Sequence, residues 1–444
     1  MTFEHCIHAI SAWTGSWILI IYVLAVGLIC TSALNFAQFR YFLRAWSYVL
    51  FPVQPTEQQS ADSMTPLQAF INTLSANLGN GSIAGMATAI YSGGPGAAFW
   101  VLAAGFLLMS VRLAEVYLSI YYGSKTTQVG LGGPMLYLRS ITGGRVLSYI
   151  YAVCCLCLGF LMGNALQTNS IRISLVKTWG ISPTAIALVL LAFVWYVVSG
   201  GAGRIVRLSA KIVPFKVVLF FGSTVVVLIY HAHALPGALN LIITSAFHPL
   251  ALAGGVLGFT VQQAMRFGIL RSIFATESGL GTAAILFGST GSNQAVKIGV
   301  MSMLSTFIST LGCFIISLCI IASGLWDSGL TSTALTIAVY ETVFGAFAGW
   351  MVSFLSVSFG IGVMVVFAYI TREAWQFLFG QQYARLFALA YCAVAVAGVL
   401  MEVHLLWAMS DIFIACMLAI NLFGILYLLP VIRSGLRSYE QHAE

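Results

Sequence analysis

Long apolar runs separated by short polar, charged or glycine-rich punctuation divide the chain into eleven segments, near residues 13–34, 66–92, 97–122, 146–173, 181–200, 210–231, 248–270, 296–324, 346–378, 383–402 and 407–430. Each run approaches or exceeds the roughly 20 residues that carry a helix across a bilayer. The runs are continuous, whereas a membrane β-barrel shows short segments of alternating polarity. The pattern predicts an all-α polytopic membrane protein with 11 transmembrane helices.

One segment breaks the pattern. Residues 75–85, SANLGNGSIAG, lie inside the second run yet carry three glycines, two asparagines and two serines. Non-helical backbone at membrane depth persists only where protein surrounds it or where it lines a cavity, because an unpaired N–H or C=O in hydrocarbon costs several kcal/mol. Glycine alone is explained by close helix packing, but packing needs neither amides nor hydroxyls. An unwound midpoint offers C=O groups at the end of its first half-helix and N–H groups at the start of its second. The former suit a small cation and the latter a carboxylate. Ser75, Asn77 and Leu78 are therefore candidate cation ligands, and Gly79, Asn80, Gly81 and Ser82 candidate substrate contacts.

After the first segment, ten remain, which divide into five plus five. The first of the second five is again glycine-interrupted, at LAGGVLGF, residues 252–259, and places Phe259 beside the expected site. Because five is odd, the second half enters the membrane from the opposite side, and paired interrupted helices in inverted halves point to a transporter's central site. The expected organisation is an extra N-terminal helix and cytoplasmic connection (1–65), a first repeat (66–232), a second repeat (248–430) and a cytoplasmic tail (431–444).

Composition agrees, with 60% hydrophobic and 7% charged residues and a mean hydropathy of +0.97. The net charge of +7 is explained by topology and not by nucleic acid: 16 of the 19 Lys and Arg fall in connections on one side. That side includes Arg204, Arg207, Lys211 and Lys216, which follow the fifth run or open the sixth, and Arg266, Arg271 and Lys297 around the connection after the seventh. The positive-inside rule then puts the N-terminus outside and the C-terminus in the cytoplasm of a plasma membrane, the bacterial inner membrane. Residues 1–12 carry no Lys or Arg, so the first segment reads as a retained helix and not a cleaved signal. Most of the nine cysteines lie within apolar runs and read as small core residues.

Three further features carry chemistry. Asn164 and Gln167 share one face of the fourth segment, where interhelical hydrogen bonding or substrate contact explains them. Arg112 and Glu115 have the i, i+3 spacing of an ion pair, either structural or part of a gate. Glu277, in FATESGLG, falls in the connection after the seventh segment. Its carboxylate either bonds nearby N–H groups or closes the inner side.

The sequence resembles the alanine or glycine:cation symporter family. The likeness is carried by LSANLGNGSIAGMATAI (74–90), GGPGAAFW (93–100), RLAEVYLSIYYG (112–123), GGPMLYL (132–138), GNALQTNSI (163–171) and FGILRSIFATESGLGTA (267–283), in order. It implies the five-plus-five inverted-repeat fold of the bacterial leucine transporter, preceded by one extra helix. It also implies symport of a small neutral amino acid, alanine or glycine, with a monovalent cation by alternating access. Na⁺ is the coupling ion implied, with H⁺ coupling or amino-acid exchange as the alternative and no other cofactor. Gln167 matches the family's binding-site glutamine, and Phe367 stands where the family has Trp, which would leave more room in the pocket. Two departures concern the ion: Ser82 replaces the family's Asn, and FGIGV (359–363) replaces FAFST, so that Gly362 and Val363 lack its hydroxyls. A membrane enzyme would require convergent nucleophilic, acid–base or metal groups, and the chain has no HExxH, GxSxG or Walker motif. A channel would favour a repeated pore loop.

Overall fold

The computed structural model describes residues 17–51, 64–125, 132–248 and 260–441. Among these residues every regular element is helical. Seven stretches are long and apolar enough to cross a membrane: Ala97–Gly123, Gly144–Trp179, Gly201–Tyr230, Ala295–Ala322, Ser332–Phe379, Gln381–Leu400 and Leu405–Tyr427. The chain is a multi-pass membrane protein.

Helix α1 (Trp17–Ala33) precedes a divided helix, α2 (Pro66–Asn77) and α3 (Asn80–Gly93). Thr65 starts α2 with a capping box, its hydroxyl accepting from the Gln68 N–H and the Gln68 side chain accepting from the Thr65 N–H, with Pro66 in the first turn. Helix α4 (Ala97–Gly123) follows, then α5 (Gly144–Phe160), which passes through a π turn at Leu161–Ala165 into α6 (Leu166–Trp179). Next come α7 (Pro183–Ser199), the 30-residue α8 (Gly201–Tyr230) with Pro214 inside it, and the shorter α9 (Leu235–Phe247).

A second divided helix comprises α10 (Val261–Thr276) and α11 (Thr282–Gly288). Thr260 and Gln263 cap α10 with the same reciprocal box that begins α2. Helices α12 (Ala295–Ala322), α13 (Ser332–Phe344), α14 (Ala348–Phe379), α15 (Ala384–Leu400), α16 (Val403–Tyr427) and α17 (Leu429–Gln441) complete the chain. The last, which covers most of the expected tail (431–444), is a helix tied to the segment after α1 by an Arg40–Glu440 ion pair of 2.9 Å and a Tyr48–Tyr439 hydroxyl contact of 2.6 Å.

The interruption expected at 252–259, with Phe259, lies outside the described residues. Helix continues well past residue 270, where the seventh run was expected to end, and its break falls at Glu277–Gly281. Arg266, Arg271 and Glu277 look like loop punctuation in the sequence. Arg266 and Arg271 are within α10, and Glu277, only 1% exposed, sits at the break. Lys216 likewise belongs to the interior of α8, fully buried, and not to a connection.

Close helix approach depends on small residues. A Cβ at Gly105 of α4 would stand 2.3 Å from the Oγ1 and 2.4 Å from the Cγ2 of Thr310 on α12. Thr310 is β-branched and stiff at χ1. Gly105→Leu is therefore expected to destabilise the α4–α12 pair by about 1–3 kcal/mol, read as a lower thermal unfolding midpoint in detergent.

Candidate functional site

The first break is short. Leu78 closes α2 with an N–H bond to the Leu74 carbonyl (2.9 Å), then leaves helical geometry at φ −84°, ψ 82°. Gly79 is extended at φ −119°, ψ −171°, a conformation open to any residue. What requires glycine there is space: a Cβ would lie 3.0 Å from Val363 Cγ2 on α14. The Ser82 N–H bonds the Gly79 carbonyl at 2.9 Å, starting α3.

The bare face of α3, at Gly81 and Gly85, is covered by the guanidinium of Arg271. A Cβ at Gly81 would stand 2.7 Å from Arg271 Nη2, and one at Gly85 would stand 1.8 Å from its Cζ. The Nε and Nη2 of Arg271 are buried and have no hydrogen-bond partner among the described residues. A guanidinium beside the positive end of a helix is electrostatically unfavourable unless an anion joins them. The arrangement is suited to a carboxylate.

Arg271 faces a cavity of about 730 Å³, lined also by Asn80, Gly81, Thr88, Lys177 and Trp407. Its floor is a small chamber of about 40 Å³ between Asn77, Gly81, Gln167, Arg271, Val363 and Trp407. Polar groups in this chamber are left open: both ends of the Asn77 amide, Asn80 Nδ2 and Gln167 Oε1 have no partner among the described residues, while Gln167 Nε2 donates to the Met162 carbonyl at 3.0 Å. Buried polar groups are normally paired. A concentration of unpaired ones around the break, presenting donors and acceptors together, suits a zwitterion.

The other expected contacts divide. Ser82 turns its hydroxyl back to the Asn77 carbonyl at 3.4 Å, bridging the break. Asn164 donates to the Tyr391 carbonyl at 2.7 Å and belongs to helix packing. Phe367, expected in the pocket, is 1% exposed and packs on the π turn, where a Cβ at Gly163 would lie 2.4 Å from its ring. The aromatic residues that line the cavity are Phe267, Phe274 and Trp407. Of the candidate cation ligands, the Ser75 and Leu78 carbonyls accept hydrogen bonds from Lys216 Nζ at 2.9 and 3.0 Å.

The second break differs in kind, because its backbone groups are well satisfied. Arg112 Nη1 meets Glu115 Oε1 at 2.7 Å, with both side chains fully buried, and the same guanidinium reaches Thr306 Oγ1 at 3.3 Å and the Thr276 carbonyl. Glu115 Oε2 accepts from the N–H groups of Gly279 (3.1 Å) and Gly281 (3.2 Å) and from Asn421 Nδ2 (3.2 Å). Tyr151 donates to the Leu280 carbonyl at 2.6 Å. Glu277, in the left-handed region at φ 50°, accepts from the Thr282 hydroxyl at 2.7 Å. The Arg112–Glu115 pair, with Tyr151, Thr306 and Asn421, thus braces the break against α4, α5, α12 and α16, and Glu277 lies within the break, bonded to Thr282. The cavity opens at the other end of the molecule, beside Lys177 and the start of α13.

Arg271 and Trp407 were not anticipated. An Arg within an apolar stretch is by default a functional candidate, and AMRFGILRSIFA (264–275) carries two. That signal was lost once the seventh run was ended at residue 270.

Residues 1–444, the whole chain, match the sodium:alanine symporter family. An uncharacterized transporter of Haemophilus influenzae is 30% identical, over 99% of this chain and 97% of its own. The sodium/alanine symporter AgcS of Methanococcus maripaludis is 28% identical, over 99% of this chain and 98% of its own. The probable sodium/glutamine symporter GlnT of Bacillus subtilis is also 28% identical, over 98% and 90%.

Proposed function

Since the chain belongs to the sodium:alanine symporter family, we propose that it imports a small neutral amino acid of the alanine or glycine class by alternating access, as an amino-acid:cation symporter. The observation that carries this reading is the chamber at the first break, where the Arg271 guanidinium and the first turn of α3 converge beside the Asn77 amide and Gln167 Oε1, which have no partner among the described residues. In it the substrate carboxylate meets Arg271 and the N–H groups near Gly81. The ammonium meets the acceptor ends of Gln167 and Asn77, and Trp407 covers the side chain. Gly79 and Asn80 shape the chamber wall.

Eleven crossings in an inverted five-plus-five arrangement fit this role. The seven long stretches, together with α1, α7 and the two divided helices, would make up that number. The matching capping boxes, Thr65–Gln68 and Thr260–Gln263, support α2–α3 and α10–α11 as corresponding members of two repeats. With the N-terminus outside, the cavity faces outward, and the Arg112–Glu115 network with Glu277 closes the cytoplasmic side. Na⁺ is the coupling ion favoured by resemblance, and H⁺ coupling is the alternative.

Purified protein in liposomes, offered a panel of labelled amino acids under imposed Na⁺ or H⁺ gradients, tests the reading. Saturable accumulation of alanine or glycine is expected, with weak uptake of acidic and basic amino acids. A panel in which nothing accumulates under any gradient would overturn it.

A further inference from the structure

The carbonyls at the end of α2 already hold a cation. Lys216 is fully buried in α8, two residues after Pro214, and its ammonium donates to the carbonyls of Ser75 (2.9 Å) and Leu78 (3.0 Å). It has no ion-pair partner among the described residues. Its charge is balanced instead by those carbonyls, by the negative end of the α2 dipole and by the Phe359 ring, whose centroid is 5.3 Å from Nζ.

The facing helix is shaped for this ammonium. A Cβ at Gly362 of α14 would stand 2.6 Å from Lys216 Nζ and 3.0 Å from Ser75 Oγ. A serine or threonine there would collide with the lysine it faces. Val363 presents methyl groups, one of which would lie 3.0 Å from a Cβ at Gly79. α14 therefore brings bare backbone and hydrocarbon toward this gap, and no side-chain oxygen from positions 362 or 363. A dissolved Na⁺ needs several oxygens to offset its dehydration, whereas an ammonium tethered to α8 needs acceptors only for its three donors. The missing hydroxyls and the buried lysine are two sides of one arrangement.

We propose that the Lys216 ammonium is the resident cation between the α2 carbonyls and α14, taking the place of a dissolved Na⁺, and that this protein moves its amino acid without Na⁺. The proposal rests on the amino-acid uptake reading above, and one of its tests is independent of transport. In liposomes, labelled alanine uptake by the unaltered protein is expected to differ by less than about twofold between NaCl and choline chloride; stimulation by Na⁺ of about tenfold or more would overturn it. Radiolabelled Na⁺ offered to the purified protein is expected to show no saturable binding, and saturable binding would overturn it. That measurement needs no transported amino acid, so it stands even if the panel accumulates nothing. Lys216→Met, which keeps length and removes charge, is expected to lower uptake about tenfold or more in either salt. Wild-type uptake by that variant would overturn the proposal. Should it not survive purification, the two measurements on the unaltered protein decide.

Discussion

Glu115→Ala is expected to be among the most destabilising single changes in the molecule. The carboxylate pairs with a fully buried Arg112 and accepts three further hydrogen bonds, from Gly279, Gly281 and Asn421. Removing it strands a guanidinium with no solvent to receive it and unpairs the backbone of the second break. Losing one partner of a buried pair costs about 3–5 kcal/mol. The thermal midpoint in detergent should fall sharply, with a similar loss for Arg112→Ala. The double variant Arg112→Leu with Glu115→Leu leaves no orphaned charge and should lie above the sum of the single losses. Strict additivity would mean that the two residues act independently, against the geometry.

Arg271→Gln is expected to weaken amino-acid binding without unfolding the protein. A hydrogen bond to a charged group is worth about 1.5–3 kcal/mol, which corresponds to roughly a 10- to 150-fold loss of affinity. Gly85→Val should reproduce much of that loss from a residue that offers the ligand no side-chain contact, because its Cβ would occupy the position of the Arg271 guanidinium. If both changes act through one guanidinium, combining them adds little to the larger single effect. Ligand-binding isotherms on the four proteins measure this. Full additivity, or unchanged affinity in Arg271→Gln, would remove the arginine from the site.

The contrast between the two breaks explains which parts of the site were legible in the sequence. SANLGNGSIAG is conspicuous because its polar groups stand within an otherwise apolar run, and the structure interrupts the helix there, at Leu78 and Gly79. The second break was obscured by its own completeness. Glu277, Ser278 and three following positions look like a solvated loop, yet the backbone of Gly279 and Gly281 is paired by residues as distant in sequence as Glu115 and Asn421. Long-range pairing of this kind leaves no local signature. The capping pattern TxxQ at 65–68 and 260–263 was a local sign that went unused. Lys216 opens the sixth run among the basic residues of the preceding connection, so nothing local marks its burial, which depends on the carbonyls with which α2 ends. Alignment by resemblance brings Phe367 forward, but the Gly163 contact holds its ring in the core, and the aromatic residues on the cavity wall are Phe267, Phe274 and Trp407.

The π turn at Leu161–Ala165 has a consequence for Gln167. Such a turn holds one surplus amino acid relative to the α-helical turn it replaces. A residue advances an α-helix by about 100°; the wider π turn takes up the surplus, so α5 and α6 keep a common azimuth although their numbering is offset by one. Deleting one residue between 161 and 165 should therefore leave the glutamine facing the chamber, but with the Met162 carbonyl, now the acceptor of Gln167 Nε2 at 3.0 Å, drawn into the regular ladder. The irregular turn thus tethers one end of the amide and leaves its oxygen, which has no partner among the described residues, to the ligand.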